Sequence, residues 1–117
     1  MEKIEIKNIL EYEQLIITSG KHAWKTLIVD AYADWCGPCK KLAPILEEVL
    51  IDYKTVQLVK INTDNVEEII DILGVKSLPS VFAIVNGKVV ASFVGLKDKL
   101  FITEFINKVL TNKISNN

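Results

Sequence analysis

The sequence predicts an α/β fold: one central mixed β-sheet of about five strands, flanked by about four α-helices. Three observations predict it. Apolar runs of strand length alternate with amphipathic stretches of helical period, the pattern of a sheet covered by helices on both faces. The run TLIVDAYA (26–33) is nearly all apolar, as a strand buried on both sides requires. Asn86-Gly87 separates two β-rich runs, the strongest short hairpin signal, and so adds antiparallel strands.

The elements follow in chain order. KIEIK (3–7) places Ile4 and Ile6 on one face of a short strand. Residues 8–19 read as an amphipathic helix with Leu10, Leu15 and Ile16 among its apolar positions. After the buried strand, Leu42, Ile45, Leu46, Val49 and Leu50 recur at helical spacing between about Pro38 and Tyr53. VQLVKIN (56–62) is a strand, and NVEEIIDIL (65–73) a short helix stopped by Gly74. SVFAIV and VVASFV flank the hairpin turn. A last helix over 98–111 carries Leu100, Phe101, Phe105, Ile106, Val109 and Leu110. The 117 residues read as a single domain (1–117) with its core over about 3–110 and a frayed polar tail from Thr111.

Composition excludes several function classes. Half the residues are hydrophobic (50%) and a quarter charged (25%), the balance of a globular protein. The net charge is −1 and every basic residue is lysine, which argues against nucleic-acid binding. No apolar stretch approaches the roughly 18 residues needed to span a bilayer, and MEKIEIKNIL lacks the apolar segment of a signal peptide. A cytoplasmic, reducing location is the expectation, with an organelle as the alternative if a targeting peptide has been removed.

Both cysteines lie in YADWCGPCKKL (32–42). Cys36 follows the buried strand and Cys39 falls in the first turn of the next helix, a spacing within disulfide reach. Pro38 suits that turn, where its missing N–H costs nothing. Cys36 then lies near unpaired backbone N–H groups and the positive end of the helix dipole, which favour thiolate, the nucleophilic form. An exposed attacking sulfur with a second sulfur held to resolve is what thiol–disulfide exchange needs.

The pair has two other readings, a structural staple and half of a zinc site. A staple closing so short a loop contributes about 2 kcal/mol, against about 4.7 for a 100-residue loop. A structural zinc site wants four Cys or His ligands, and only His22 remains, in a helix–strand connection. No metal is therefore expected.

VDAYADWCGPCKKLAPILEE closely resembles the thioredoxin family, whose redox signature is Trp-Cys-Gly-Pro-Cys-Lys. The resemblance covers about residues 3–110 and includes GVKSLPSVFAIVNGKVV, which looks like the family's substrate-loop proline and last hairpin. It implies the thioredoxin fold and a dithiol carrier that reduces disulfides in target proteins. Cys36 would attack and Cys39, buried, would resolve. Gly37 and Pro38 match the dipeptide of the reducing members, whereas oxidases and isomerases of this fold usually carry a histidine before the second cysteine. Trp35 would pack beside the disulfide and help form the docking surface; a core tryptophan is the plainer alternative, and Trp24 matches no motif position. The resemblance implies a cis Leu78–Pro79 bond facing the cysteines, where backbone could pair with an extended substrate segment. It places Gly95 on the same groove. It also implies no bound cofactor, regeneration by a thioredoxin reductase with electrons from NADPH or a ferredoxin, disulfide substrates such as peroxiredoxins, and a monomer. A non-catalytic binding subunit of a larger complex is the rival class; an intact cysteine pair with Asp30 and Pro79 argues for catalysis.

Asp30 interrupts an otherwise apolar strand, where a carboxylate loses much of its solvation; an Asp turned outward at a strand end is the blander alternative. The resemblance places it behind Cys39 as proton acceptor, with Lys60 as its charged neighbour. Pro44 lies inside a helical pattern and should either kink the helix or mark a restart. Ala31, Tyr32 and Ser80 depart from the family's usual phenylalanine, frequent tryptophan and usual threonine, changes that bear on packing and docking shape.

Overall fold

The computed structural model describes residues 2–21 and 25–111. The readings of His22, Trp24 and all of the tail beyond Thr111 lie outside these residues. The elements run β1 (Lys3–Ile6), α1 (Ile9–Thr18), a 3₁₀ turn (Ser19–Lys21), β2 (Thr26–Tyr32), α2 (Gly37–Leu50), β3 (Val56–Asn62), α3 (Glu68–Leu73), β4 (Ser80–Val85), β5 (Lys88–Val94) and α4 (Lys99–Leu110). The sheet order is β1-β3-β2-β4-β5. The first three strands are parallel; β4 runs antiparallel to β2 and β5 antiparallel to β4.

Strand alternation divides the core between two faces. Ile28, Leu58, Val81 and Phe93 pack under α2 and α4 through Leu42, Leu46, Ile102 and Ile106. Leu27, Val29, Ala31 and Ile61 face Tyr12 of α1 and Ile69 of α3. Central β2 is buried along nearly its whole length, as its apolar run requires. No helix among the described residues is long and apolar enough to cross a membrane.

Local chemistry sets the element ends. Asn8 and Asp98 cap α1 and α4 by accepting from Glu11 N and Phe101 N. Asn86 (φ 52°) and Gly87 (φ 82°) both occupy the left-handed region, which makes the two-residue hairpin. Gly74, at φ 73°, ends α3.

The structure refines three details of the sequence reading. α3 starts at Glu68 rather than 65, because Asn65 and Val66 turn back to bond the carbonyl of Asn62. Of the two readings of Pro44, the restart is excluded, because α2 runs unbroken from Gly37 to Leu50. Leu10 is 61% exposed: it lies along an open groove beside Ile4, Ile6 and Leu15 rather than under the sheet.

Candidate active site

The site stands where β2 ends and α2 begins. β2 is pinned there by the bond from Thr63 N to Tyr32 O, 2.8 Å. Ala33 to Trp35 then turn the chain, and Cys36 caps α2 in extended conformation (φ −91°, ψ 108°). Its Sγ accepts the backbone N–H of Cys39 at 3.2 Å, and Pro38 occupies the first turn. Cys36 and Cys39 are joined as a disulfide with Cα atoms 5.3 Å apart. A sulfur in the cap position receives both an N–H and the positive end of the helix dipole, so the reduced form of Cys36 is favoured as thiolate.

Exposure corrects one expectation. Cys36 is not an open nucleophile: it is 5% exposed and Cys39 3%, both packed with Ala33, Tyr32 and Leu78. Cys36 borders a cleft of about 450 Å³, shared with Trp35, Asp64, Ile70, Val75 and Leu78.

Trp35 is 72% exposed, which excludes the core reading. Its indole Nε1 donates to Asp64 Oδ2 at 3.0 Å, which holds the ring against the cleft. Burial is worth about 3–5 kcal/mol when a core tryptophan is truncated. Trp35→Ala should therefore change stability by less than about 1 kcal/mol while raising KM for a protein disulfide. A loss of core size in a denaturant titration would contradict the exposed placement.

The opposite wall is the loop before β4. Leu78–Pro79 is cis. Ser80 Oγ donates to Ser77 O at 2.6 Å, and Gly95 N (φ 93°) donates to Pro79 O at 2.9 Å. These bonds tie both ends of the loop and place Gly95 beside Pro79. Between them, the backbone N–H and carbonyl of Leu78 have no hydrogen-bond partner among the described residues. Leu78 itself packs against the disulfide.

Beneath the cysteines, Asp30 and Lys60 stand opposite each other in the β2–β3 register. Asp30 is fully buried, and Lys60 Nζ donates to its Oδ2 at 2.8 Å. Oδ1 has no protein partner among the described residues. Burial raises the Asp30 carboxyl above its ordinary value of 3.8, against the lowering by the charge and hydrogen bond of Lys60, with Glu47 adding a smaller push upward. Desolvation wins over the ion pair. A cavity of about 130 Å³ lies beside them, lined by Tyr32, Ala33, Asp34, Cys39, Lys40, Ala43 and Lys60. Cys39 and Lys60 share its wall; Asp30 stands behind Lys60 rather than on the wall.

The structure thus brings Cys36, Cys39, Trp35, Gly37, Pro38, Leu78, Pro79 and Gly95 to one end of the sheet, with Asp30 and Lys60 below. Sequence reading missed Asp64, Ile70 and Val75, which complete the cleft from the β3–α3 connection, α3 and the loop after it. Ordinary helix and turn residues carry no local signal of what they will face. Among the described residues no cluster of His, Cys, Asp and Glu is placed to hold a metal ion.

A thioredoxin family model matches residues 5–108. The chain is 43% identical over 82 residues to a thioredoxin of Chlamydia pneumoniae, covering 70% of this chain and 80% of that one. It is 35% identical over 102 residues to a thioredoxin of Haemophilus influenzae, covering 86% and 92%. The crystal structure of reduced thioredoxin pre-protein from Schistosoma mansoni superposes with TM-score 0.80 at 33% identity, over 92% of this chain and 98% of that one.

Proposed function

The chain belongs to the thioredoxin family and is a protein-disulfide reductase; from that premise we propose that Cys36 attacks, Cys39 resolves and Asp30 accepts the Cys39 proton. The observation that carries the order of attack is the cap geometry: only Cys36 holds a helix-terminal N–H on its sulfur and borders the cleft.

The Cys36 thiolate attacks one sulfur of the target disulfide, that S–S bond breaks, and the other target sulfur leaves as thiolate. Cys39 then gives up its proton and attacks Cys36 Sγ. The mixed disulfide breaks, the second target sulfur leaves, and the Cys36–Cys39 disulfide remains. Two electrons have passed to the target. The Cys39 proton crosses the cavity toward the Asp30 carboxylate held by Lys60; a carboxyl raised by burial is closer in proton affinity to a thiol, which makes it a better acceptor.

Docking uses the unpaired Leu78 backbone, which offers one N–H and one carbonyl to an extended target strand beside the cysteines. Trp35, Ile70 and Val75 supply apolar contact across the cleft. The family membership implies disulfide-bearing protein substrates and a reductase that restores the dithiol. NADPH or ferredoxin as the ultimate electron source, peroxiredoxins among the targets, and the cytoplasm as location are part of this proposal. They are supported by the need to regenerate a dithiol in a reducing compartment.

Alkylation of the reduced protein tests the order of attack. Cys36 should react at least about tenfold faster than Cys39 near neutral pH. Equal rates, or faster modification of Cys39, would overturn the assignment.

A further inference from the structure

Lys60 stands between Asp30 and the cavity, so what holds Lys60 in place decides what Cys39 meets across that space. Its ammonium lies 4.5 Å from the centroid of the Tyr32 ring while donating to Asp30 at 2.8 Å. The ring itself is fixed at its far end: Tyr32 Oη donates to Glu5 Oε2 at 2.8 Å. Register explains the arrangement. Glu5, Lys60 and Asp30 are successive partners across β1, β3 and β2, and Tyr32 lies two residues beyond Asp30 on the same face. Lys60 is 7% exposed, although a lysine on a four-carbon stem normally reaches water.

We infer that Tyr32 is a positioning residue, whose ring seats the Lys60 ammonium against Asp30 and whose hydroxyl, tied to Glu5, fixes the ring. A cation over an aromatic face is attracted by its quadrupole, most strongly where water is partly excluded. With the ring gone, Lys60 can swing its charge into the adjoining cavity and toward solvent. Asp30 would then lose the cation that offsets its burial. The groups facing this pair are few. Lys60 comes from β3 and Glu47 and Cys39 from α2, while Asp34 and Lys40 stand around the cavity and Glu5 on β1 meets Tyr32. Val81, opposite Asp30 on β4, is apolar.

The inference rests on Asp30 as proton acceptor, so the test reads Asp30 directly and the chemistry separately. The Asp30 carboxyl ¹³C shift is followed across pH in the reduced full chain, alongside the pH–rate profile of mixed-disulfide resolution. Tyr32→Leu should move the Asp30 midpoint upward by about half a pH unit or more, and the rate profile with it. Tyr32→Phe, which keeps the ring but loses its tie to Glu5, should shift both by less than Tyr32→Leu does. In a Lys60→Met background the same Tyr32→Leu change should add nothing, because the seat has no occupant. A wild-type midpoint in Tyr32→Leu overturns the inference, as does a shift undiminished by Lys60→Met. A Tyr32→Phe shift as large as that of Tyr32→Leu overturns the role of the ring. A midpoint shift without a change in rate profile supports the seat and overturns Asp30 as acceptor.

Discussion

Cys39→Ser is expected to turn the protein from a catalyst into a trap. Cys36 keeps its cleft position and its place at the helix start in this variant, so attack on a target disulfide proceeds. Resolution does not, because a serine hydroxyl cannot displace the target sulfur. Multiple turnover of a protein disulfide such as insulin should stop at a stoichiometric mixed disulfide carried on Cys36, released by added dithiol. Cys36→Ser should accumulate almost none, since Cys39 is 3% exposed and lies on the inner cavity rather than the cleft. Both variants keep the core, so far-ultraviolet circular dichroism should be unchanged. Covalent complexes held through Cys39 in the Cys36→Ser protein would reverse the roles.

Asp30→Asn should make the protein more stable and slower. The carboxyl is raised by burial above 3.8 in the folded chain, despite Lys60. Between the unfolded and folded values, the native state therefore binds more protons than the unfolded state. The stability associated with the protonated group is fully present below the unfolded value and is lost as pH rises through the folded one. Above that window the ionised form is a fixed penalty. Asparagine removes the charge, keeps nearly the same shape, and can still accept from Lys60 through its amide oxygen. A stability gain of about 1–3 kcal/mol near neutral pH is expected, shrinking to nothing at acid pH. Removing one partner of a buried ion pair usually destabilises. Here the sign is opposite because desolvation already outweighs the pair, and because Lys60 borders a cavity where its charge can be hydrated. Resolution of the mixed disulfide should slow about a hundredfold, the low end of general-base contributions. Thermal melts from pH 4 to 9 on both proteins check the first effect, and single-turnover kinetics the second. Parallel stability curves with unchanged resolution would show a solvated Asp30 with no part in the chemistry.

Much of this was determined by sequence alone. The β2 run, the helical spacing of Leu42, Leu46 and Val49, and Asn86-Gly87 each specify local structure through short-range sterics and one-dimensional periodicity. The placement of Cys36, Pro38 and Cys39 at a helix start follows the same way, because three residues along one turn have a single geometry. Asp30 was legible as a misfit: a carboxylate in an apolar strand announces its own desolvation. Only the tertiary structure decided what stands across from what. The β2–β3 register put Lys60 opposite Asp30, and the β1–β3 register put Glu5 within reach of Tyr32. The loop carrying Leu78 and Pro79 and the start of α3 closed over Cys36, burying a sulfur that sequence reading expected to be exposed. Asp64 became the partner of Trp35 across 29 positions of chain. Such contacts join segments distant in sequence, and nothing within either segment encodes its partner: burial, pairing and cavity shape are properties of two surfaces brought together by the packing of the whole sheet.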